Sequence, residues 1–276
     1  MRMRPEGSTV RPPAVAGLFY AADPARLRAE VSGALAEADP AAPSGLRPKA
    51  LIASHAGYAY SGAVAAAAFA ALGEEAARAI RRVVLVGPSH HAAFRGIAAP
   101  TAEAFETPLG RVPVDRESLS ALAGLRFVGL ADEPHAPEHA LEVKLPFLQL
   151  RLSAFAAVPL LVGEANPEEV AEVLRRLWGG PETLVVVSSD LSHFHDHATA
   201  RRLDAATAAA IEQGDWGGRG PGDACGFRAI AGLLVEARRR GLAARRIALC
   251  NSGDTAAGSR ERVVGYGAWA FEEAAR

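Results

Sequence analysis

The chain has 276 residues, half of them hydrophobic, which is enough to bury the core of one large domain or two small ones. Its 30 basic and 31 acidic residues nearly cancel, so its charge indicates neither a nucleic-acid surface nor an anionic-membrane surface. Two cysteines give no disulfide framework, and no apolar run approaches the roughly 20 residues that span a bilayer. No apolar segment typical of a signal peptide follows residues 1–5. We therefore expect a cytoplasmic protein that binds neither nucleic acid nor membrane.

Residues 1–13 are polar and rich in proline, which predicts a loosely held start to the chain. Cap residues in front of proline or of an alanine-rich stretch predict helices, and short apolar runs predict strands. In chain order, the first half contains a helix over 24–38, a strand over 50–53, a helix over 61–72, a strand over 82–86 and a hairpin or excursion over 95–114.

The second half continues the alternation of strands and helices. It contains a short helix from 115, a helix over 138–152, a strand over 155–162, a helix over 166–178, a strand over 184–187, helices over 199–213 and 223–240, and strands over 246–249 and 263–271. This alternation favours βαβ units. The predicted fold class is α/β, with residues 1–276 forming a single domain whose largely parallel or mixed central sheet is flanked by helices.

Three of the predicted strands run directly into histidine or aspartate. The strand over 50–53 leads to His55, the strand over 82–86 leads to His90 and His91, and the strand over 184–187 leads to Asp190 and His193. In parallel sheets, ligands bind outside the carboxyl ends of the strands. The sequence therefore predicts a functional site at this edge of the sheet.

The histidines at this edge could bind a metal ion. Neutral imidazole is the commonest transition-metal ligand, and two histidines with one carboxylate leave open positions of the kind that non-haem iron(II) enzymes use. His55 and His90, with either Asp190 or Asp254, could supply that set. The spacing matches no local metal motif, and each histidine could equally be a loop residue that bonds to the backbone.

Two further groups have a functional and a structural interpretation. His139 and Glu142 lie three residues apart on a predicted helix, so they form either an exposed pair or an acid/base group at the sheet edge. Cys225 lies near a predicted helix start, where a thiolate is favoured, but a free cysteine is more often a small buried filler. The nucleophile elbow, the P-loop and the dinucleotide fingerprint are all absent from the sequence.

Several sequence blocks are spread in order over nearly the whole chain. They are residues 16–20, 55–62, 87–91, 107–110, 138–147, 188–193, 225–226 and 251–254. Together they resemble the Memo family, whose prokaryotic members are called AmmeMemoRadiSam system protein B.

The resemblance implies a fold like that of the class III extradiol dioxygenases, which are non-haem iron(II) enzymes. It also implies a divalent metal, expected to be Fe(II) with Cu or Zn as alternatives, on His55 and His90. The animal member has a cysteine as third ligand, where this chain has Thr255 by our alignment. Either Asp254 takes that role or metal binding is weak. Lys144 stands where the animal protein has a histidine. The expected catalytic residues are His193, His139 and Asp190, and the other expected pocket residues are Tyr58, His91, Glu142 and Cys225.

Three functions follow from the resemblance. The first is a metal-binding, redox-linked protein of unknown reaction. The second is an extradiol-type dioxygenase for a catecholic substrate, in which His193 or His139 takes a phenolic proton. The third is a non-enzymatic scaffold that binds a peptide in a vestigial pocket. The expected partners are an unknown small molecule or peptide and, from the prokaryotic name, a radical-SAM protein and an AMMECR-type protein.

Overall fold

A central sheet with helices packed against it forms the frame of the protein in the computed structural model, which describes residues 10–38 and 46–273. The strands are β1 (Val10–Arg11), β2 (Ala50–Ala53), β3 (Arg82–Pro88), β4 (Ile97–Ala99), β5 (Ala104–Thr107), β6 (Gly110–Pro113), β7 (Val128–Leu130), β8 (Ala156–Val162), β9 (Thr183–Ser188), β10 (His193–His195), β11 (Leu242–Asn251) and β12 (Val263–Glu273). The helices are α1 (Pro24–Glu37), α2 (Tyr58–Ala70), α3 (Glu74–Ala79), α4 (Arg116–Ser120), α5 (Leu145–Arg151), α6 (Pro167–Leu177), α7 (His197–Gln213) and α8 (Phe227–Arg240), with 3₁₀ turns at Glu142–Lys144 and Ser252–Asp254.

The sheet has a parallel centre and antiparallel flanks. Among the described residues its order is β10-β12-β2-β9-β3-β8-β4-β7, and β11 pairs with β12. The strands β2, β9, β3 and β8 run parallel to their neighbours in that order, whereas β12 is antiparallel to β2 and β4 is antiparallel to β8. β2 and β9 are buried at every residue, because helices cover both faces of a parallel centre. The predicted single-domain α/β fold with a mixed, helix-flanked sheet is confirmed.

Two groups of helices pack against the sheet. α2 packs on β2 and β12, and α1 and α5 pack against α2. α8 packs on β3 and β9, and α6 packs against α8. α7 packs on β11 and β12. Among the described residues, none of the helices combines the length and the apolar character that a membrane span requires.

Several helices and strands differ in their bounds from the prediction. β5 and β6 form the hairpin expected within 95–114, and β7, β10 and α3 were not predicted. The expected helix over 138–152 is wrong in its first half, because α5 begins only at Leu145 after a 3₁₀ turn. One reason is that the Glu138 side chain accepts the backbone N–H groups of His139 and Ala140 and so holds this segment as a loop.

The N-terminal segment is anchored by a buried arginine. Residues 1–9 of the segment expected to be loose lie outside the described residues, while β1 pairs with β5. Arg11 is only 1% exposed and forms an ion pair with the buried carboxylate of Glu142. Its guanidinium also donates to the carbonyl oxygens of His135 and Glu138, at 2.9 and 2.5 Å. The chain from 135 to 142 is therefore held against the start of the protein.

The buried ring of His135 predicts a loss of stability in acid. Burial lowers its pKa from 6.5 to about 4, and the charge of Arg11 adds to the effect. The unfolded chain therefore takes up a proton near pH 6.5, whereas the folded chain does so only near pH 4. A shift of this size is worth about 3 kcal/mol, which is lost as the pH falls from 6.5 towards 4.

Chemical denaturation of the wild type and of His135→Gln across pH 4–7 tests this expectation. The variant keeps an N–H donor for the carbonyl of Ala98, which His135 contacts at 3.0 Å, but does not titrate. We expect its free energy of unfolding to vary less with pH. Parallel curves for the two proteins would contradict the assignment.

Candidate metal centre

Three neighbouring parallel strands deliver polar side chains to one edge of the sheet. β9 lies between β2 and β3, with both pairs in parallel register. His55 follows β2, His90 follows β3 and Asp190 follows β9. The ring centroids of His55 and His90 lie 5.1 Å apart, and the Asp190 carboxylate accepts the backbone N–H of His55 at 2.7 Å. The structure thus brings these three predicted residues together.

Cys225 completes a set of possible metal ligands. It lies in the loop in front of α8, and its Sγ is 3.2 Å from Nε2 of His55. One ligand atom each from His55, His90 and Cys225 lies within 4.8 Å of the other two. Cys225 was predicted to be a pocket residue, but it was not predicted to be a metal ligand. The third candidate ligand of this group is therefore a thiol. A second possible group, His90, Glu138 and His139, contains a carboxylate that was not among the expected ligands.

Hydrogen bonds fix the protonation of the His55 ring. The Ser188 hydroxyl donates its single hydrogen to the carbonyl of Ala140 at 2.6 Å. Ser188 Oγ, 2.9 Å from Nδ1 of His55, must therefore accept the Nδ1 hydrogen. Burial keeps the pKa of His55 well below its usual value, with a smaller effect from the charge of Lys144. His55 is neutral, and the lone pair of its Nε2 faces Cys225.

A buried carboxylate orients His90 in the same way. Nδ1 of His90 lies 2.9 Å from Oε1 of Glu138, and its backbone N–H donates to Oε2 at 2.6 Å. Burial raises the pKa of Glu138, but the hydrogen bonds and charge of His90 outweigh it and hold the value at about 2. A carboxylate on Nδ1 leaves Nε2 free to bind a metal. Glu138 and Ser188 were not predicted as orienting groups, although Glu138 stands directly before a predicted catalytic histidine.

The donor set fits a transition metal. Burial raises the pKa of Cys225 to about 12, and the nearby Asp190 carboxylate adds to this effect. Without a cation the residue is a thiol that donates to His55, whereas a bound cation stabilises the thiolate. The backbone N–H of Asp190 also donates to Sγ at 3.2 Å. Two imidazole nitrogens with free lone pairs and one potential thiolate suit copper, zinc or iron.

His139 lies beside this set as a neutral imidazole. Its ring is stacked on that of His90 at 4.7 Å between centroids and packs against Phe19 at the same distance. Burial lowers its pKa to about 4, although the charge of Glu138 opposes this. Nδ1 of His139 lies 3.4 Å from Oε1 of Glu138, so a proton taken up by the ring would be stabilised by that carboxylate.

Two clefts open near the candidate ligands. The first, which we call the histidine cleft, has a volume of about 600 Å³ and is lined by residues that include His139, Asp190 and His193, but by none of the three candidate ligands themselves. The second, of about 390 Å³, is lined by residues that include His90, His91 and Cys225. In the histidine cleft, Nδ1 of His193 donates to the carbonyl of Leu191 at 2.7 Å, which leaves its Nε2 free. All three residues predicted to be catalytic therefore line one cleft.

Lys144 places a buried amine behind the site, where it interacts with Asp190 and Cys225. Its side chain is fully buried, and its ammonium donates to the carbonyl of Ser54. Burial lowers its pKa to about 7, while the charges of Asp190 and Cys225 act in the opposite direction. A protonated Lys144 therefore favours the ionised carboxylate and the thiolate that surround it.

The structure does not bring Asp254 into the ligand group. Its carboxylate accepts from Nε2 of His197 at 2.7 Å and from the backbone N–H of Asn251 at 3.0 Å. Thr255 Oγ1 donates to the carbonyl of Ser252, and Cys250 lies within β11 opposite Tyr266. The block over 251–254 is held by its own hydrogen bonds and by α7, and the groups that approach His55 and His90 come from elsewhere.

The remaining pocket candidates are distributed between the core and the surface. The Tyr58 hydroxyl donates to the carbonyl of Val143 at 2.8 Å within the core, and Glu142 is buried against Arg11. His91 is exposed, with its ring 6.1 Å from that of His139. Because the chain around 138–141 is not helical, His139 and Glu142 do not share a helix face, and only His139 lies at the candidate site.

Comparisons with known proteins agree with these blocks. The family model described as Memo-like protein matches residues 11–270. A MEMO1 family protein of Sulfolobus acidocaldarius is 32% identical over 93% of this chain and 97% of its own length. A MEMO1 family protein of Methanopyrus kandleri is 34% identical over 95% of this chain and 98% of its own length. The resemblance inferred from the sequence is confirmed, and the chain belongs to the Memo family.

Proposed function

We propose that this protein binds one redox-active transition-metal ion, iron or copper, through His55 Nε2, His90 Nε2 and Cys225 Sγ, and acts on an organic substrate in the histidine cleft. The observation that carries the proposal is the convergence of three donor atoms within 4.8 Å. In two of them the hydrogen bonds made by Ser188 and Glu138 leave the lone pair free.

The sulfur ligand changes the expected choice of metal. The prediction of iron(II) depended on a carboxylate as third ligand, which is the arrangement of non-haem iron oxygenases. Thiolate is a softer ligand, and a set of two histidines and one cysteine also suits copper and zinc. A bound iron or copper ion would supply one-electron chemistry beside His139, whose ring lines the cleft and stacks on that of His90.

Side chains of the protein would accept the protons that the substrate releases. His139 is neutral at physiological pH, because its pKa is about 4, and its ring lines the cleft. It can accept a proton from a substrate hydroxyl, and the Glu138 carboxylate stabilises the resulting imidazolium. Nε2 of His193 offers a second acceptor on the same cleft. Lys144 and Asp190 are buried behind the ligands, and their protonation states determine the local charge.

The two cysteines of the chain provide a matched test. Cys225 lies at the candidate site and Cys250 lies in β11, so Cys225→Ser should lose what Cys250→Ser keeps. We expect Cys225→Ser to weaken metal binding by more than about 100-fold, which exceeds the usual effect of losing an outer partner of a ligand. It should also lose the thiolate-to-metal charge-transfer absorption of the Cu(II)- or Co(II)-loaded protein.

The measurement is metal content after anaerobic reconstitution with Fe(II), Cu(I) or Zn(II), followed by competition with a chelator. His55→Ala and His90→Ala should behave like Cys225→Ser, with all variants checked by thermal melting. No tight binding of any of the three metals to the wild type would refute the metal site. Tight binding of zinc alone would refute the redox part of the proposal.

Ring cleavage of a catecholic substrate is the more specific alternative, and the neutral His139 beside the cleft favours it. That reaction needs a base for a phenolic proton and iron(II) as the metal. Oxygen uptake by the iron-loaded protein with a panel of catechols tests it directly. Uptake that is lost in both His139→Gln and His55→Ala would support it, whereas no uptake with any catechol would refute it.

A further inference from the structure

Exposed apolar side chains lie at or next to the histidine cleft. Among residues 10–38 and 46–273, four large hydrophobic side chains are exposed: Leu18 (79%), Tyr60 (41%), Phe194 (62%) and Leu130 (62%). Leu18 and Tyr60 line the histidine cleft, and Phe194 directly follows His193, which also lines it. Only Leu130, in the edge strand β7, lies elsewhere. Exposed apolar groups clustered at one cleft mark a binding surface.

The backbone at Phe194 is strained. In the described part of the chain it is the one residue other than glycine with a positive φ, at 65°. Phe194 lies where the pairing of β10 with β12 is irregular, because the pairing register shifts between His193 and His195. Glycine would adopt this conformation without steric cost, whereas a bulky side chain destabilises it. A strained, exposed phenylalanine beside a candidate catalytic histidine indicates a role in binding.

A cation stands next to this ring. The guanidinium carbon of Arg262 lies 5.0 Å from the centre of the Phe194 ring, and Arg262 also lines the cleft. Within the described residues, Arg262 makes no hydrogen bond or ion pair and is exposed. The buried carboxyl group of Asp190 also lines the cleft, and burial raises its pKa above the usual value. The lining therefore combines apolar side chains, one exposed guanidinium and one buried carboxyl group.

We propose that the histidine cleft binds an organic anion with a flat apolar body and a single anionic group, an assignment that rests on the proposed function and names its substrate class. The apolar body packs against Leu18, Tyr60 and Phe194, and the anionic group pairs with Arg262. The opposite, uncharged end reaches His139 and His193, because Arg262 is the one arginine or lysine among the described residues that line the cleft and can pair with one anionic group. A volume of about 600 Å³ is within the range of small-molecule sites.

The fluorescent probe 8-anilinonaphthalene-1-sulfonate has this chemistry, since it joins an aromatic body to one sulfonate. Its titration into the metal-free protein measures the cleft without using the metal. We expect Leu18→Ser and Phe194→Gly each to weaken binding by about 10-fold, from the apolar contact that is lost. Arg262→Gln should weaken it by about 3-fold and reduce its dependence on salt. Leu130→Ser is the matched control and should bind the probe as the wild type does.

Thermal melting separates binding from folding. Phe194→Gly removes the strain, so it should melt no lower than the wild type while binding less probe. The neutral analogue N-phenyl-1-naphthylamine should bind wild type and Arg262→Gln equally. The proposal is overturned if Leu130→Ser reduces probe binding as much as Leu18→Ser, or if Arg262→Gln leaves sulfonate binding unchanged.

The same titration distinguishes this proposal from the metal site. Cys225→Ser should lose the metal and still bind the probe. A wild-type protein that takes up no metal but binds the probe at the cleft would refute the proposed function and leave the cleft assignment standing. A protein that takes up metal but shows no effect of the cleft variants would do the reverse.

Discussion

Replacing Glu138 by glutamine is expected to weaken metal binding by about 10–100-fold, the usual effect of losing the partner that orients a histidine ligand. Oε1 of Glu138 accepts from Nδ1 of His90 and from the backbone N–H groups of His139 and Ala140, each at 2.9 Å. Oε2 accepts from the backbone N–H of His90 at 2.6 Å. Both oxygens therefore face only donors. A glutamine offers one acceptor and one donor, so either orientation of its amide sets an N–H group against another N–H group.

Chelator competition at fixed pH measures the change in metal affinity, and chemical denaturation follows stability in parallel. Glu164→Gln is the control, because Glu164 lies on the cleft beside His90 but is exposed and pairs only loosely with Arg95. We expect that variant to match the wild type in both measurements. If Glu138→Gln bound metal as tightly as the wild type, His90 would not be a ligand held by this carboxylate.

The edge of the sheet that carries the site could be predicted because parallel strands leave a simple pattern. β2, β3 and β9 are short apolar runs buried on both faces, and each is followed at once by polar residues. Strands that are neighbours and parallel must present those residues at the same edge. His55, His90 and Asp190 could therefore be grouped without knowing any contact between them.

Cys225 could not be predicted from the same pattern as the third member of the candidate ligand group. It follows no strand and stands in a loop between α7 and α8, where periodicity gives no position. Asp254 follows β11, which is separated from β2 by β12, and His197 at the start of α7 binds its carboxylate. Whether Cys225 or Asp254 approaches the two histidines depends on how α7 and α8 pack. That packing consists of contacts between residues that are distant in sequence.

The segment from 138 to 144 shows how tertiary contacts override local pattern. Its leucine spacing predicts a helix, but the side chains of Glu138 and Glu142 both have stronger partners elsewhere. Glu138 accepts from the His90 loop and from its own following backbone, while Glu142 accepts from the N-terminal segment. The sequence by itself shows Glu138 and Glu142 near a predicted helix start. It does not show that Glu142 is paired with Arg11.

Glu142→Ala is expected to lower the free energy of unfolding by about 3–5 kcal/mol, the range found when one partner of a buried ion pair is removed. Arg11 would remain buried without its carboxylate, since Arg11 and Glu142 are 1% and 0% exposed. The variant also loses the acceptor for the hydroxyl of Tyr20 at 2.5 Å and for the backbone N–H groups of Ala14 and Val15, at 2.7 and 3.1 Å. The control is Glu75→Ala, whose ion pair with Arg47 is largely exposed and should contribute about 0–1 kcal/mol.

A double variant separates the two causes of that loss. In Glu142→Leu with Arg11→Met, no charge remains buried, and apolar side chains of similar size replace the ion pair. Because an uncompensated buried charge is the main penalty, the double variant should recover much of the stability lost in Glu142→Ala. It will not recover all of it, since the Tyr20 hydroxyl and two backbone N–H groups still lack their acceptor. Urea unfolding of the wild type, Glu142→Leu, Arg11→Met and the double variant completes the cycle. A double variant as unstable as the sum of the two single variants would show that hydrogen bonding, rather than buried charge, dominates this anchor.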